Sequence, residues 1–437
     1  MTVTTVAAPG KPRPVAGLKR SVSESMLFRL TGLVLVFLLH LFLSRLMGPK
    51  GYGDYTMITS LLDLLLVIGL SGMDSATQRV LPQTLSKKEF GAANGFLRFA
   101  YRWILMASLL CSVTVLFLLL FVYHKGSVGF RESILWAIVL LPVLASVHQA
   151  SAVLRSFQRI KASMLPVQVV LPVLLSFASA CYYMEYGKLP VDAVLLLQLA
   201  CTLVVGWRVS RTTGKRLRQQ LDRSLTEYRF VPWMTVASAF FFTSLTEVLM
   251  RQGDILMTGY LLSHVQAGQY AAAVRITSLV AFALSVSDYV FLPKLSAIQT
   301  AGKKRQLRQA VRIYSRQILM MTLPLAVLLA LAGPWLLKSF GPSFRNAYYP
   351  LLILLFGHIV TAGTGLATGM MNLTGDRRTF LGFSIIAVIV QFVLLAFLLP
   401  RWGLVGAAVA AVTGRILLQG MCYRRLYSRS GIRASAW

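Results

Sequence analysis

The chain has 437 residues, 56% hydrophobic and 13% charged, with 44 Lys and Arg against 14 Asp and Glu and a net charge of +30. So little polar side chain cannot coat a soluble globule, whereas a lipid-facing bundle of helices needs none. In a soluble protein this charge would point to nucleic acid; here membrane topology accounts for it, and no nucleic-acid partner is expected.

The first 25 residues are polar and hold Pro12, Pro14, Lys19 and Arg20. The apolar run that follows is too long for a cleaved signal peptide, so 1–25 is expected to be a disordered cytoplasmic tail leading into helix one. Charges, Gly and Pro then interrupt the apolar runs at about 20 residues per span. The predicted spans are 26–46, 53–79, 98–123, 132–154, 163–184, 190–208, 231–262, 268–293, 311–332, 346–371, 379–399 and 403–423. Trp103, Trp136, Trp207, Trp233, Trp335 and Trp402 fall near predicted ends, where an amphipathic ring prefers the headgroup region. Cations alternate loop by loop: about 31 lie on one side, from Lys11 through Arg79, Arg155, Arg208, Arg305 and Arg377 to Arg433, and about 8 on the other. Lys and Arg are retained inside, which places both termini in the cytoplasm.

The chain repeats itself at half its length. Gly53-Asp54-Tyr55 opens span two and Gly268-Gln269-Tyr270 opens span eight about 215 positions later, and each span runs apolar to a proline, Pro82 or Pro293. The segment Leu154–Arg159 likewise lies about 217 before Met371–Asp376. Six spans per half is an even number, so the halves share one orientation, related by an axis along the membrane normal. The expected fold is an all-α polytopic membrane protein, with about twelve transmembrane helices in two pseudo-symmetric six-helix lobes around a central cavity. The expected organisation is a cytoplasmic tail 1–25, an N-lobe 26–208, a basic linker 209–229, a C-lobe 230–427 and a tail 428–437. Two parallel lobes imply a substrate path between them and alternating access by rocking.

Charges inside spans cost about 2.5 to 3.5 kcal/mol each on insertion scales, so they should face a cavity or one another. The cations are Arg29, Arg102, Arg251, Arg275 and Arg415; the acids are Asp63, Asp74, Glu247, Asp254 and Asp288. Arg29, Arg251 and Arg275 come from the first two helices of one lobe or the other, and guanidinium forks match phosphate bidentately, so these three form the candidate anion site. Against this, Glu247 and Arg251 stand four apart on one helical face and can neutralise each other. Arg102 and Arg415 are expected to snorkel to the cytoplasmic surface. Asp63, Asp288 and Glu247 are candidates for coupling to a proton or sodium gradient, because a carboxylate in a low-dielectric cleft exchanges protons; pairing with a nearby Arg is the plainer role.

Other chemistry is sparse. Cys111, Cys181, Cys201 and Cys422 fall singly, as packing residues do, and His40, His148 and His358 lie in different spans, so no metal site is expected. Gly363-Thr364-Gly365 with Gly369, and Gly403, Gly406, Ala407 and Ala411, suggest close helix packing rather than a dinucleotide fingerprint. The sequon Asn372-Leu373-Thr374 falls on the predicted cytoplasmic face. Gly214-Lys215-Arg216 lacks the rest of a Walker A loop, and no soluble domain is apparent. Neither enzymatic activity nor a cofactor is expected.

Four patterns together carry a family resemblance: Leu46-Met47-Gly48-Pro49-Lys50-Gly51-Tyr52-Gly53-Asp54-Tyr55, Gly268-Gln269-Tyr270-Ala271-Ala272-Ala273-Val274-Arg275, Phe340-Gly341-Pro342-Ser343-Phe344 and Trp402-Gly403-Leu404-Val405-Gly406-Ala407-Ala408. In order and spacing, over residues 24 to 427, they resemble the polysaccharide transporter branch of the multidrug/oligosaccharidyl-lipid/polysaccharide exporter (MOP) superfamily. The resemblance implies an inner-membrane flippase of undecaprenyl-diphosphate-linked oligosaccharides for O-antigen, capsule or exopolysaccharide synthesis. Membrane lipids, a glycan polymerase and chain-length machinery are its implied partners. It further implies that arginines of the first and eighth helices line a cationic cavity for the diphosphate, where Arg29 and Arg275 correspond. Moving about two negative charges outward across an inside-negative potential is worth roughly 4 to 5 kcal/mol per 100 mV, enough to drive export with or without a coupled cation. A multidrug cation antiporter of the same fold and a non-transporting scaffold of a glycan export complex are the alternatives.

Overall fold

A computed structural model describes residues 15–121, 128–220, 226–301, 304–364, 366–373 and 376–430. Residues 1–14 and 431–437 of the expected tails, 221–225 of the linker, Gly365 and the sequon's Thr374 lie outside them. Among the described residues there is no strand, so every spanning backbone satisfies itself within a helix, the condition lipid imposes.

Helix α1 (Val15–Leu70) carries spans one and two, bent at Gly48 (φ 70°) ahead of Pro49. The chain reverses there: the rings of His40 and Tyr55 are 6.0 Å apart, although fifteen residues of straight helix would span about 22 Å. Span two breaks again at Ser71 and Gly72, both left-handed, before α2 (Met73–Ser86). α3 (Phe90–Phe121) and α4 (Val128–Ser156) follow. Span five is α5 (Ile160–Met164), a π turn (Leu165–Val170) and α6 (Leu171–Tyr186); Pro166 and Pro172 each remove a backbone donor from the ladder there. α7 (Val191–Gln220) closes the N-lobe. The C-lobe runs α8 (Phe230–Leu261), α9 (His264–Thr300), α10 (Lys304–Phe340), a 3-10 turn (Pro342–Ala347), α11 (Tyr348–Gly363), α12 (Ala367–Leu373) and α13 (Arg377–Ser430). α13 turns back at Gly403 (φ 55°), which makes that glycine a reversal point rather than the packing contact expected of it. Ten stretches among the described residues are long and apolar enough to cross a membrane. Two of them, 45 and 52 residues long, are the pairs folded at Gly48 and Gly403, so the crossings amount to twelve.

Helix ends are where sequence and structure part. Helix one starts at Val15, directly after Pro14, rather than at Met26, because polar residues free of proline propagate a helix as well as apolar ones do. For the same reason α7 continues through Lys215 and Arg218 into the expected linker, and α13 runs past Tyr427 to Ser430. Trp233 is only 4% exposed: near the start of α8 it packs edge-on to Phe96, centroids 5.5 Å apart, so it faces the other lobe rather than lipid headgroups. Trp207, Trp335 and Trp402 are exposed, as a headgroup position requires.

Within the N-lobe α4 packs on α2, α3 and α7; within the C-lobe α11 packs on α9, α10 and α13, and α8 on α13. The lobes meet where α1 lies against α8 and α9, and α2 against α8. One buried cluster crosses this interface, with Leu43, Tyr52, Ile58 and Phe96 on one side and Trp233, Tyr270, Phe340 and Phe344 on the other. A smaller one, including Leu295, Leu307, Val311, Met370 and Cys422, lies in the C-lobe near its cation-rich end. At that end exposed Arg229 donates to Glu89 (2.9 Å) and Glu227 (3.1 Å), and the hydrogen bond it gives Glu227 and then the charge of Glu89 raise its pKa further. The opposite, cation-poor end is formed by the turns near Gly48, Leu262, Gly341 and Gly403.

Candidate functional site

The lobes are shut at the cation-poor end. Gly53 and Gly268, the paired glycines of the internal repeat, stack backbone to backbone, and Asp54 pairs with His264 across the interface. Ser44 Oγ donates to the Phe340 carbonyl (3.1 Å), and Arg45 donates from Nε to Ser339 O and from Nη2 to Lys338 O (2.8 Å). Tyr52, fully buried, sits 5.8 Å from the Phe344 ring and 6.2 Å from Phe340.

Below this closure lies a cavity of about 730 Å³, within the range of ligand pockets, about 300–1,000 Å³. Leu33, Val36 and Phe37 of α1 face Val274, Arg275, Ser278 and Ala281 of α9 across it; α8 supplies Thr243, Glu247 and Arg251, α11 His358, and α13 Phe380, Ser384, Arg415 and Gln419. Its walls run from mid-depth toward the cation-rich end; exposed Arg251, on α8 about 15 Å from the cation-poor turn, stands at about the depth of Arg275, with exposed Glu247 one turn nearer the cation-rich end.

Arg275 is half-buried in the upper part of the cavity, beside Tyr52 and within electrostatic reach of Tyr55 and His40, below the closed end. Tyr52 Oη also lies 3.3 Å from His40 Nδ1. Asp63 accepts from Gln252 Nε2, and Gln252 Oε1 accepts from Ser60 Oγ (3.3 Å), a polar chain crossing from α1 to α8. Replacing Gln252 with Leu removes both bonds and is expected to cost about 1–3 kcal/mol. The check is the thermal unfolding midpoint in detergent; an unchanged midpoint would mean that this chain contributes nothing to lobe docking. Asp254 is fully buried, accepting from Tyr270 Oη (2.8 Å) and the Ile255 amide (2.9 Å), with Arg415 within electrostatic reach.

Of the sequence candidates, Arg251, Arg275, Asp63 and Glu247 line one cavity. Arg29 does not line it; it is half-buried one helical turn from Leu33 on the same face of α1, toward the cation-rich end. Asp288 likewise stands one turn beyond Leu284 of α9, outside the lining. Arg102 is exposed on α3, away from the cavity. Arg415 was expected to snorkel, yet it lines the cavity, with His358 near it. The signal was depth: twelve residues past the Gly403 reversal put it about 18 Å into the bilayer. Among the described residues no cluster of His, Cys, Asp and Glu could hold a metal ion.

A family model described as polysaccharide biosynthesis protein matches residues 18–299. No curated protein sequence matches the chain. The fold is similar to that of an inward-facing multidrug resistance MATE family transporter of the MOP superfamily, at 14% identity over 93% of this chain and 98% of that one, TM-score 0.75. An outward-facing MATE family transporter gives 14% identity over 97% and 99%, TM-score 0.68. A MOP superfamily transporter from Pyrococcus furiosus, described as having a binding pocket of reverse polarity, gives 13% over 94% and 96%, TM-score 0.69. At such identities these likenesses establish the fold.

Proposed function

We propose that this chain, which belongs to the polysaccharide biosynthesis protein family and has the multi-pass helical fold of MOP superfamily transporters, is a transporter of the flippase kind. Its cargo is an undecaprenyl-diphosphate-linked oligosaccharide, moved from the cytoplasmic to the outer leaflet of the inner membrane. The observation that carries this reading is the convergence of Arg251, Arg275 and Arg415 on one interlobe cavity shut at its far end. A lipid diphosphate needs its anionic head neutralised across the low-dielectric core, while its prenyl tail stays in lipid. Three guanidinium forks supply that neutralisation, and the apolar wall of Leu33, Val36 and Phe37 suits the tail side.

The cation-rich end then faces the cytoplasm together with both termini, so the cavity loads from the leaflet in which the substrate is made. The closure built by Gly53, Gly268, Asp54 and His264 is the gate that opens outward. No cofactor enters this scheme, and no bond is made or broken. The membrane potential acts on the diphosphate charge, and Asp63 and Glu247 on the cavity wall are the groups placed to exchange a coupling ion. Glycan polymerase and chain-length machinery would take up the product at the outer leaflet.

The test is reconstitution into liposomes with a fluorescent undecaprenyl-diphosphate oligosaccharide in the inner leaflet, followed by quenching from outside. Flipping faster than in protein-free liposomes, accelerated by an outward-positive potential, is expected. Equal rates in both would sink the reading. Asp63 and Glu247 also favour a second reading, multidrug cation antiport. Rhodamine-type cations moved against a proton or sodium gradient in the same liposomes, with no glycolipid flipping, would select it.

A further inference from the structure

α9 and α10 form a hairpin of two 37-residue helices, about 55 Å each, far longer than the roughly 30 Å hydrocarbon core. On α10, Trp335 is 71% exposed and sits at the cation-poor boundary, and Met320 and Leu331 face lipid between the two boundaries. Nineteen residues from Trp335 back to Arg316 make about 28 Å, which puts Arg316 at the opposite boundary. Arg312, Arg308 and Arg305 therefore stand about 6, 12 and 16 Å beyond it.

These four arginines are exposed and share one helical face at spacings of three and four, while Leu307, Val311 and Ile318 on the other face are buried in the satellite core. Stacked rings of Phe291 and Tyr314, 4.3 Å apart, tie the two helices together, and Lys294 lies 5.9 Å over Tyr314. The row is thus a rigid platform, not a loose tail. No Asp or Glu occurs anywhere from residue 289 to 375. Topology needs cations at the boundary only; it does not need a column rising out of the membrane on a packed helix.

We infer that this column docks an acidic helical segment of a cytoplasmic protein, with carboxylates at four-residue spacing opposite Arg305, Arg308, Arg312 and Arg316. Lipid headgroups are the weaker fit. They reach Arg316 and Arg312, but the headgroup layer is only about 5–8 Å thick, and lipid surface charge decays over a Debye length of about 8–10 Å. The inference needs the cation-rich end to face the cytoplasm and does not depend on what the cavity carries.

The experiment uses the full chain in phosphatidylcholine nanodiscs and a fluorescent 20-residue peptide of five Glu-Ala-Ala-Ala repeats. Binding anisotropy is read for the native chain, for Arg305→Gln/Arg308→Gln/Arg312→Gln, and for Arg208→Gln/Arg211→Gln/Arg218→Gln. The second triple removes equal charge from a comparable exposed row on α7, which Asp222 and Glu227 follow in sequence. A loss of affinity of at least tenfold in the α10 triple, with less than twofold in the α7 triple, is expected. Equal losses would mean a diffuse field of net charge and overturn the inference, as would no binding to the native chain. Complete displacement of the peptide when phosphatidylglycerol replaces a third of the lipid would assign the column to headgroups and overturn it too.

Discussion

Arg275→Ala is expected to lower flipping by about 30- to 1,000-fold while leaving insertion and folding intact. The size follows from where the guanidinium sits. It is half-buried in the upper part of the cavity, beside Tyr52 and within electrostatic reach of Tyr55 and His40, where water screens little. Truncating one partner of a desolvated charge pair costs about 2–4 kcal/mol of the interaction, and each 1.4 kcal/mol is tenfold. Arg251→Ala is expected to cost less, since exposed Arg251 is better screened by water than half-buried Arg275. Arg275→Lys should fall between, keeping the charge and losing the fork that grips two oxygens. The measurement is glycolipid flipping in liposomes, with monodisperse elution in detergent as the folding control. Equal rates for native and Arg275→Ala chains would remove Arg275 from the substrate path, and with it the main support for an anion cavity.

How much of this was legible beforehand depends on which physical rule governs each residue. Hydropathy and loop charge depend on composition alone, so twelve crossings and two lobes follow from the sequence. The repeat led further than counting did: Gly53 and Gly268, matched only as openers of spans two and eight, meet each other at the lobe interface. Helix ends were legible where Gly or Pro interrupts an apolar run, as at Gly48 and Gly403; polar continuations such as 15–25 and 209–220 carry no apolar signal, and lipid hydropathy cannot see them. Side-chain placement was the least legible. Arg29 and Arg415 both lie inside spans, and one stands a turn outside the cavity while the other lines it. That difference is set by depth along the helix, since Arg29 shares the face of Leu33 but lies a turn nearer the cation-rich end, and how deep the cavity reaches is fixed by tertiary packing. Tertiary packing also decided Trp233, turned inward by Phe96 and Phe99.

Gly53→Val and Gly268→Val are each expected to abolish transport by the opposite route, with the anion site intact and the outer end unable to shut. At Gly268 an added Cβ would stand 2.9 Å from the Gly53 Cα and 3.1 Å from the Pro49 carbonyl; at Gly53 it would meet the His264 carbonyl. All are backbone atoms, and no rotamer change relieves them. Overpacking of this kind costs about 1–3 kcal/mol, and here the cost falls only on the state in which the lobes touch at that end. About 3 kcal/mol moves a two-state ratio roughly a hundredfold, enough to reverse a modest preference for the shut form. Spin labels at Lys50 and Tyr349, both exposed near the cation-poor end, read the gap across the closure in a chain freed of its four native cysteines. The native chain should give a short, narrow distance distribution and the valine variants a longer one, with flipping lost. Gly420→Val, where an added Cβ meets nothing within 4 Å, should change neither. Valine variants with native distances and native flipping would mean that the lobes separate elsewhere, and that the repeat's glycines are packing residues with no part in the gate.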